Sequence, residues 1–527
     1  MKGPGLNLSG IDKAERLLWP IAAMTGALAL WWFRFDYSWA TGDQDEFVPY
    51  LLHLIDPSLL AADWFVQTQS EAVSVRTPFV FLLRVLCYVT GPQYAILTVF
   101  VVAWFAIGWS VFRLTEIIGN NIVGAVAAVI IVLALTPKWT LGGNDVVYAM
   151  LVPEMAAWAV GLPGLIALFR NRWLLAGCLI AISGWLQLLV GLHLLILIAL
   201  CGIPDLITDF AGWRRRYLVS IATGLLLISP ILAVIVSQQL GQGGSTEVDL
   251  LWVLAHYRAP YHYLPSAFPP QSYLKFFVLL FCGGASVLWL RRTARNDRDI
   301  QLCVRILFSI GVCVAIAAVL TEVIPVAPIV KLQLYKTTVV AKLLLISLAC
   351  AAVGITVARR VVVPARRYVA VAVTITALIR LAAARLFSGP LLEDAETDSL
   401  ERWARASTNH DDRFMIPPSV SSFRSRAQRP IVVNYAAVPF APNDMAEWYR
   451  RLQEMAPVEN PVRGIALKTQ LDSAFHRTET DELVGLAEKY DVRYLARRAD
   501  EIRLADLPIA YQDSVWVVYN MSSDSTD

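Results

Sequence analysis

Charge is scarce in this chain: 17% of its 527 residues are Asp, Glu, Lys or Arg, while 57% are hydrophobic. A soluble globular protein of that length does not show such a ratio. Cysteine is confined rather than absent. All seven (Cys87, Cys178, Cys201, Cys282, Cys303, Cys313 and Cys350) lie within or at the edge of apolar stretches, so no disulfide framework is implied. Internal repeats and low-complexity tracts are missing. The polar C-terminal tail also lacks the G-x-G-x-x-G, Walker A, H-E-x-x-H, C-x-x-C and G-x-S-x-G patterns, which removes the commonest nucleotide, zinc-protease, thiol-redox and serine-hydrolase readings there. A net charge of +3 gives no reason to expect a nucleic-acid partner.

What the chain does have is a series of membrane-length apolar runs, at about 17–35, 78–90, 93–113, 121–136, 147–169, 172–186, 188–203, 217–239, 274–291, 303–324, 336–358 and 366–386. Trp19, Trp31, Trp32 and Trp39 bracket the first in the manner of an interfacial belt. Lys2, Lys13 and Arg16 precede it, which places the N-terminus in the cytoplasm. The basic clusters Arg214-Arg215-Arg216, Arg291-Arg292 and Arg359-Arg360 read as cytoplasmic loops, so from Arg214 onward the crossings alternate consistently and leave the tail after Ser388 outside. Between 78 and 172 they do not. Four crossings would put Arg170-Asn171-Arg172 outside, so one segment is broken or re-entrant, and Pro137, Gly142-Gly143 and Pro153 point to 137–154. The expected fold class is a polytopic α-helical membrane protein of about 11–13 transmembrane helices over residues 1–389, with an external loop 36–77 that bears amphipathic helices. An external soluble α/β domain follows over 390–527. There 413–416, 430–434, 492–495 and 515–520 read as strands, and 443–454 and 481–489 as helices capped by Asn443 and Asp481.

The most informative polar group is Asp43-Gln44-Asp45-Glu46, just beyond the first span. Three carboxylates within four residues repel one another, and beside a low-dielectric boundary they need a cation, a metal or a donor network to face them. The bland alternative is a hydrated loop. After the cluster, Phe47 to Ile55 with the lone His53 reads as a helix lying in the interface, followed by Asp63-Trp64-Phe65 and Arg76-Thr77-Pro78-Phe79. Such a loop suits an amphiphile with its polar head at the membrane surface, for example a sugar on a polyprenyl phosphate. The second external loop combines His256, Arg258 and His262 with aromatic platforms, which suits sugar stacking and phosphate pairing unless it packs only on its own scaffold. Two His without a third ligand make a weak metal site. In the third loop Lys331, Gln333 and Lys336 stand near the outer boundary, where the lysines reach either lipid headgroups or a lipid-linked phosphate. Asn144, Asp145, Glu154, Gln187 and His193 are the remaining polar groups at membrane depth.

On these residues the chain resembles the GT-C superfamily of integral-membrane glycosyltransferases. The likeness lies in the acidic motif after the first span, the amphipathic first loop, about a dozen spans and a C-terminal external domain. The stretches His256–Pro265, Val152-Pro153-Glu154 and Gln333–Lys336 look like motifs of an uncharacterised bacterial branch. The motif departs from a plain Asp-Asp or Asp-Glu pair, since Asp43 stands apart from Asp45-Glu46. The resemblance implies a bacterial inner-membrane enzyme that transfers a sugar, with inversion, from a polyprenyl-phosphate-linked donor to an external hydroxyl on a glycan, lipid or protein. Its expected catalytic residues are Asp43 first as base, Asp45 second, and Glu46 in an orienting role. The expected substrate-binding set is Arg76, Glu154, His256, Arg258, His262, Lys331, Gln333 and Lys336. A divalent cation, Mg or Mn, assists in some relatives. The rival readings are a transporter or flippase of lipid-linked glycans, and a non-catalytic scaffold in the membrane whose tail binds a partner. Sugar release from a lipid-linked donor separates the first reading from both rivals.

Overall fold

The computed structural model describes residues 13–35, 37–241, 248–293, 297–360, 397–464, 466–501, 504 and 507–521. The expected span at 366–386 lies outside the described residues. Six helices are long and apolar enough to cross a membrane: Pro92–Gly119, Leu188–Thr208, Phe210–Gln239, Pro270–Thr293, Asp297–Val323 and Ala327–Ala358. Five shorter apolar helices accompany them: Leu18–Trp32, Thr77–Thr90, Ile122–Leu135, Pro153–Phe169 and Trp173–Leu186. Breaks between helices fall where the local chemistry requires them. Asn120 ends one helix in the left-handed conformation, and the Asn121 side chain accepts from the Gly124 N–H to start the next. Thr338–Arg360 sits at the centre, packed against Pro92–Gly119, Ile122–Ile130 and Pro270–Thr293. Gly124 lets it approach, since a Cβ there would meet the Cys350 carbonyl oxygen at 2.5 Å.

The crossing pattern between 78 and 172 resolves at a different place from the one expected. Residues 136–152 are indeed irregular and largely buried, but the helix that fails to cross is Thr77–Thr90. Its N-terminal neighbour Arg76 pairs with Glu46 and stacks on Phe440 of the tail. Just past its C-terminus, Pro92 and Gln93 line a groove of about 410 Å³ with Trp39 and the tail residues Asp398 and Arg402. Both ends therefore lie at one end of the bundle. The helix's exposed stripe of Phe81, Val85, Tyr88 and Val89 is an apolar face turned away from the bundle. The helices Pro92–Gly119, Ile122–Leu135 and Pro153–Phe169 then alternate, and Arg170-Asn171-Arg172 falls at the end opposite the tail, where Arg298 donates to Asn171.

The tail forms a four-stranded sheet in the order β1-β2-β4-β3, with β1 Phe414–Met415, β2 Tyr494–Arg498, β3 Ile509–Gln512 and β4 Trp516–Asn520. β1 pairs parallel with β2, and the other two pairings are antiparallel. The expected strand at 430–434 is reduced to a single bridge between Ile431 and Phe414. Neither expected cap holds: Pro442 opens the helix Pro442–Met455 after Ala441, and Glu479 precedes Thr480–Tyr490. The tail core also takes in Val253 and Tyr257 of the second loop, packed with Trp448, Leu452 and Met455. The sheet carries a second, separate cluster built from Leu400, Phe414, Phe423, Tyr494, Trp516 and Val518.

Candidate functional site

Thr41 is extended, Gly42 turns at φ +54, and Gly42–Glu46 winds into a short 3₁₀ turn. A Cβ at Gly42 would stand 3.3 Å from the Met150 methyl, so both the angle and the space favour glycine. With three residues per turn, Asp43 and Glu46 share one side while Gln44 and Asp45 face inward. Asp43 is exposed. Asp45 is fully buried and accepts from Asn434 Nδ2 at 2.6 Å and Arg424 Nη1 at 3.5 Å, both from the tail. Burial pushes its carboxyl up to about 6, against the pull of Arg424 and Asn434 and with a further rise from Asp63. Arg424 also donates to Asp63 Oδ2 at 2.9 Å. Asp45 thus ties the acidic turn to the tail through Oδ2, while its Oδ1 is buried with no hydrogen-bond partner among the described residues. Glu46 pairs with Arg76 and stands 3.9 Å from Arg258.

The two arginines come from different loops and are held by the tail. The Arg76 guanidinium lies 4.4 Å from the Phe440 ring centroid, and that of Arg258 lies 4.7 Å from the Tyr435 ring. Arg258 Nη2 donates to the Ala436 carbonyl at 2.9 Å. Burial lowers the Arg76 pKa to about 9, with Asp43 opposing and Arg258 adding to the fall, so the group remains a cation at neutral pH. Arg76 Nη1 and Arg258 Nε are buried donors with no hydrogen-bond partner among the described residues. Such donors are costly unless an acceptor meets them.

The irregular segment closes the other side. Gly142 and Gly143 both have positive φ, and the Gly142 carbonyl accepts from His262 Nδ1 at 2.6 Å, an assignment that follows from the acceptor being a carbonyl. Burial and the Lys336 charge lower the His262 pKa to about 4, so the ring is neutral with Nε2 as an acceptor. Glu154 Oε2 accepts from Lys336 Nζ at 2.9 Å. Asp43 is close enough to act electrostatically on Arg76, Arg258, His262 and Tyr148.

Of the expected residues, the structure gathers Asp43, Glu46, Arg76, Arg258 and His262, with the Glu154–Lys336 pair beside His262. It leaves three apart. Lys331 donates to Gln239, Gln333 donates to the Tyr263 hydroxyl, and the charges nearest His256 are Arg463, Asp249 and Glu322. Five contributors were not anticipated: Arg424, Asn434, Tyr435 and Phe440 of the tail, and Lys342, which donates to both Asp145 oxygens at 2.7 and 3.0 Å. Lys342 carried a signal, a lone charge in an apolar run. The tail residues carried none. No group of three or more His, Cys, Asp or Glu side chains able to hold a metal ion occurs among the described residues.

Fold and site together define a polytopic membrane protein whose tail packs over a cluster of carboxylates and arginines at one end of the helical bundle. The fold is ArnT-like. The structure of ArnT from Cupriavidus metallidurans bound to undecaprenyl phosphate is similar with a TM-score of 0.54 and 10% identity, over 98% of this chain and 99% of that one. The apo state of the same protein gives 0.51 and 12% identity, over 96% and 98%. A family model described as a domain of unknown function, DUF6798, matches residues 395–455. No curated protein matches the chain.

Proposed function

We propose that the protein is an inverting glycosyltransferase of the GT-C type that takes its sugar from a polyprenyl-phosphate-linked donor on the external side of the membrane. The observation that carries this reading is the juxtaposition of exposed Asp43 with the unpartnered buried N–H groups of Arg76 and Arg258, in a fold shared over almost the whole chain with a protein solved bound to undecaprenyl phosphate. The acceptor hydroxyl gives its proton to Asp43 while its oxygen attacks the anomeric carbon on the face opposite the phosphate. The anomeric C–O bond then breaks, and the phosphate leaves with the bonding pair. Arg76 and Arg258 face the charge that develops on it. Glu46 holds both guanidinium groups in place, and neutral His262 offers Nε2 to a sugar hydroxyl. Lys336 supplies a further cation if the phosphate competes with Glu154 for it.

The test is product analysis with the purified chain in proteoliposomes supplied with polyprenyl-phosphate sugars and an acceptor extract. Free polyprenyl phosphate together with an inverted glycosidic bond is expected. Donor that crosses the bilayer uncleaved would overturn the proposal in favour of lipid-linked glycan transport.

A further inference from the structure

The segment 421–440 lies inside the stretch matched by the domain of unknown function and touches both loops that carry the charged cluster. Ser421 Oγ accepts the Gly42 N–H at 3.1 Å, one residue before Asp43. Arg424, 1% exposed, spans Asp45 and Asp63, so it ties the acidic turn to the start of the helix Trp64–Glu71. A lone guanidinium between two buried carboxylates has no freedom to drift, because either carboxylate left unpaired in that setting is strongly disfavoured. At the other end of the segment, Tyr435 and Phe440 each present a ring face to one arginine, and the Tyr435 hydroxyl donates to the Arg258 carbonyl oxygen at 2.5 Å. Two buried cations that act electrostatically on one another would otherwise separate. An aromatic face attracts a cation without neutralising it, so each arginine keeps its charge for an anion.

We propose that the function of this segment is to hold the charged cluster in place, as the wall against which it is built: Arg424 is a positioning residue for the Asp43 turn, and Phe440 and Tyr435 are positioning residues for Arg76 and Arg258. Its catalytic consequence rests on the proposed function above, but the positioning itself can be read without substrate. The probe is an arginine-selective dicarbonyl reagent applied to the full chain in detergent, with modified peptides counted by mass spectrometry, in the absence and presence of undecaprenyl phosphate. Phe440→Leu keeps bulk and removes the ring face. It should raise modification of Arg76 about 3- to 30-fold while Arg258 changes little, and Phe440→Tyr should restore protection. Tyr435→Leu should do the converse. Arg76 reactivity unchanged in Phe440→Leu, or raised equally at every arginine as in general loosening, would overturn the proposal. Undecaprenyl phosphate should slow modification of both arginines in the wild-type chain. If it does not while Phe440→Leu still exposes Arg76, the wall stands and the donor reading falls.

Discussion

Asp43 and Asp45 are two residues apart and meet opposite surroundings, because a turn of three residues per rotation sends one outward and the other into the tail. The burial of Asp45 has a measurable consequence. Its folded pKa of about 6 lies above the ordinary 3.8, so the folded state holds this proton more tightly than the unfolded chain does. Its favourable contribution is therefore complete below about pH 4 and is lost as pH rises to about 6, an effect of about 3 kcal/mol that stays level above that. Thermal unfolding of wild type and Asp45→Asn should differ in a pH-dependent way across that window and by a constant amount above it. A constant difference throughout would remove burial as the cause. The acidic cluster itself was legible from its placement after the first span. Which carboxylate is free was not, because Arg424 and Asn434, the groups that decide it, lie 379 and 389 residues away.

At the scale of elements, the irregular stretch after residue 135 was announced by Pro137, the Gly142-Gly143 pair and Pro153. The in-plane helix was not, since a mostly apolar stretch of fourteen residues with the single charge Arg84 looks alike whether it lies in the membrane surface or crosses part of it. What distinguishes Thr77–Thr90 is tertiary: both of its ends meet tail and first-loop residues. Single cysteines at Glu71 and at Thr90, in a background free of the seven native ones, should react with an impermeant thiol reagent from the same side of sealed vesicles. Reaction from opposite sides would contradict the topology. The irregular stretch is anchored by Lys342, fully buried, whose ammonium bonds both oxygens of Asp145, while the Asp145 N–H donates to the Tyr148 hydroxyl. Lys342→Met removes the counter-charge from a buried carboxylate that keeps only the Lys138 and Val146 N–H groups among its described partners, and should cost about 3 kcal/mol. Adding Asp145→Asn should recover a large part of that loss in thermal melts, and an additive penalty would show that the two side chains are not coupled.

Over the whole molecule, the membrane portion supplies the carboxylate turn and both arginine loops, and the tail supplies the surfaces that hold them. Composition and the spacing of apolar runs revealed the membrane class and the change of character near residue 390. They could not reveal that Val253 and Tyr257 of the second loop are part of the tail core, because that packing joins segments roughly 200 residues apart in sequence. The central claim is that Asp43 is the base, and a pair of substitutions tests it most directly. Sugar transfer by purified Asp43→Asn and Asp45→Asn should be measured beside wild type, with thermal melts to confirm folding. The account predicts that Asp43→Asn loses on the order of 10²- to 10⁴-fold in rate with its melt unchanged, while Asp45→Asn stays within roughly tenfold of wild type. Full activity in Asp43→Asn would contradict it.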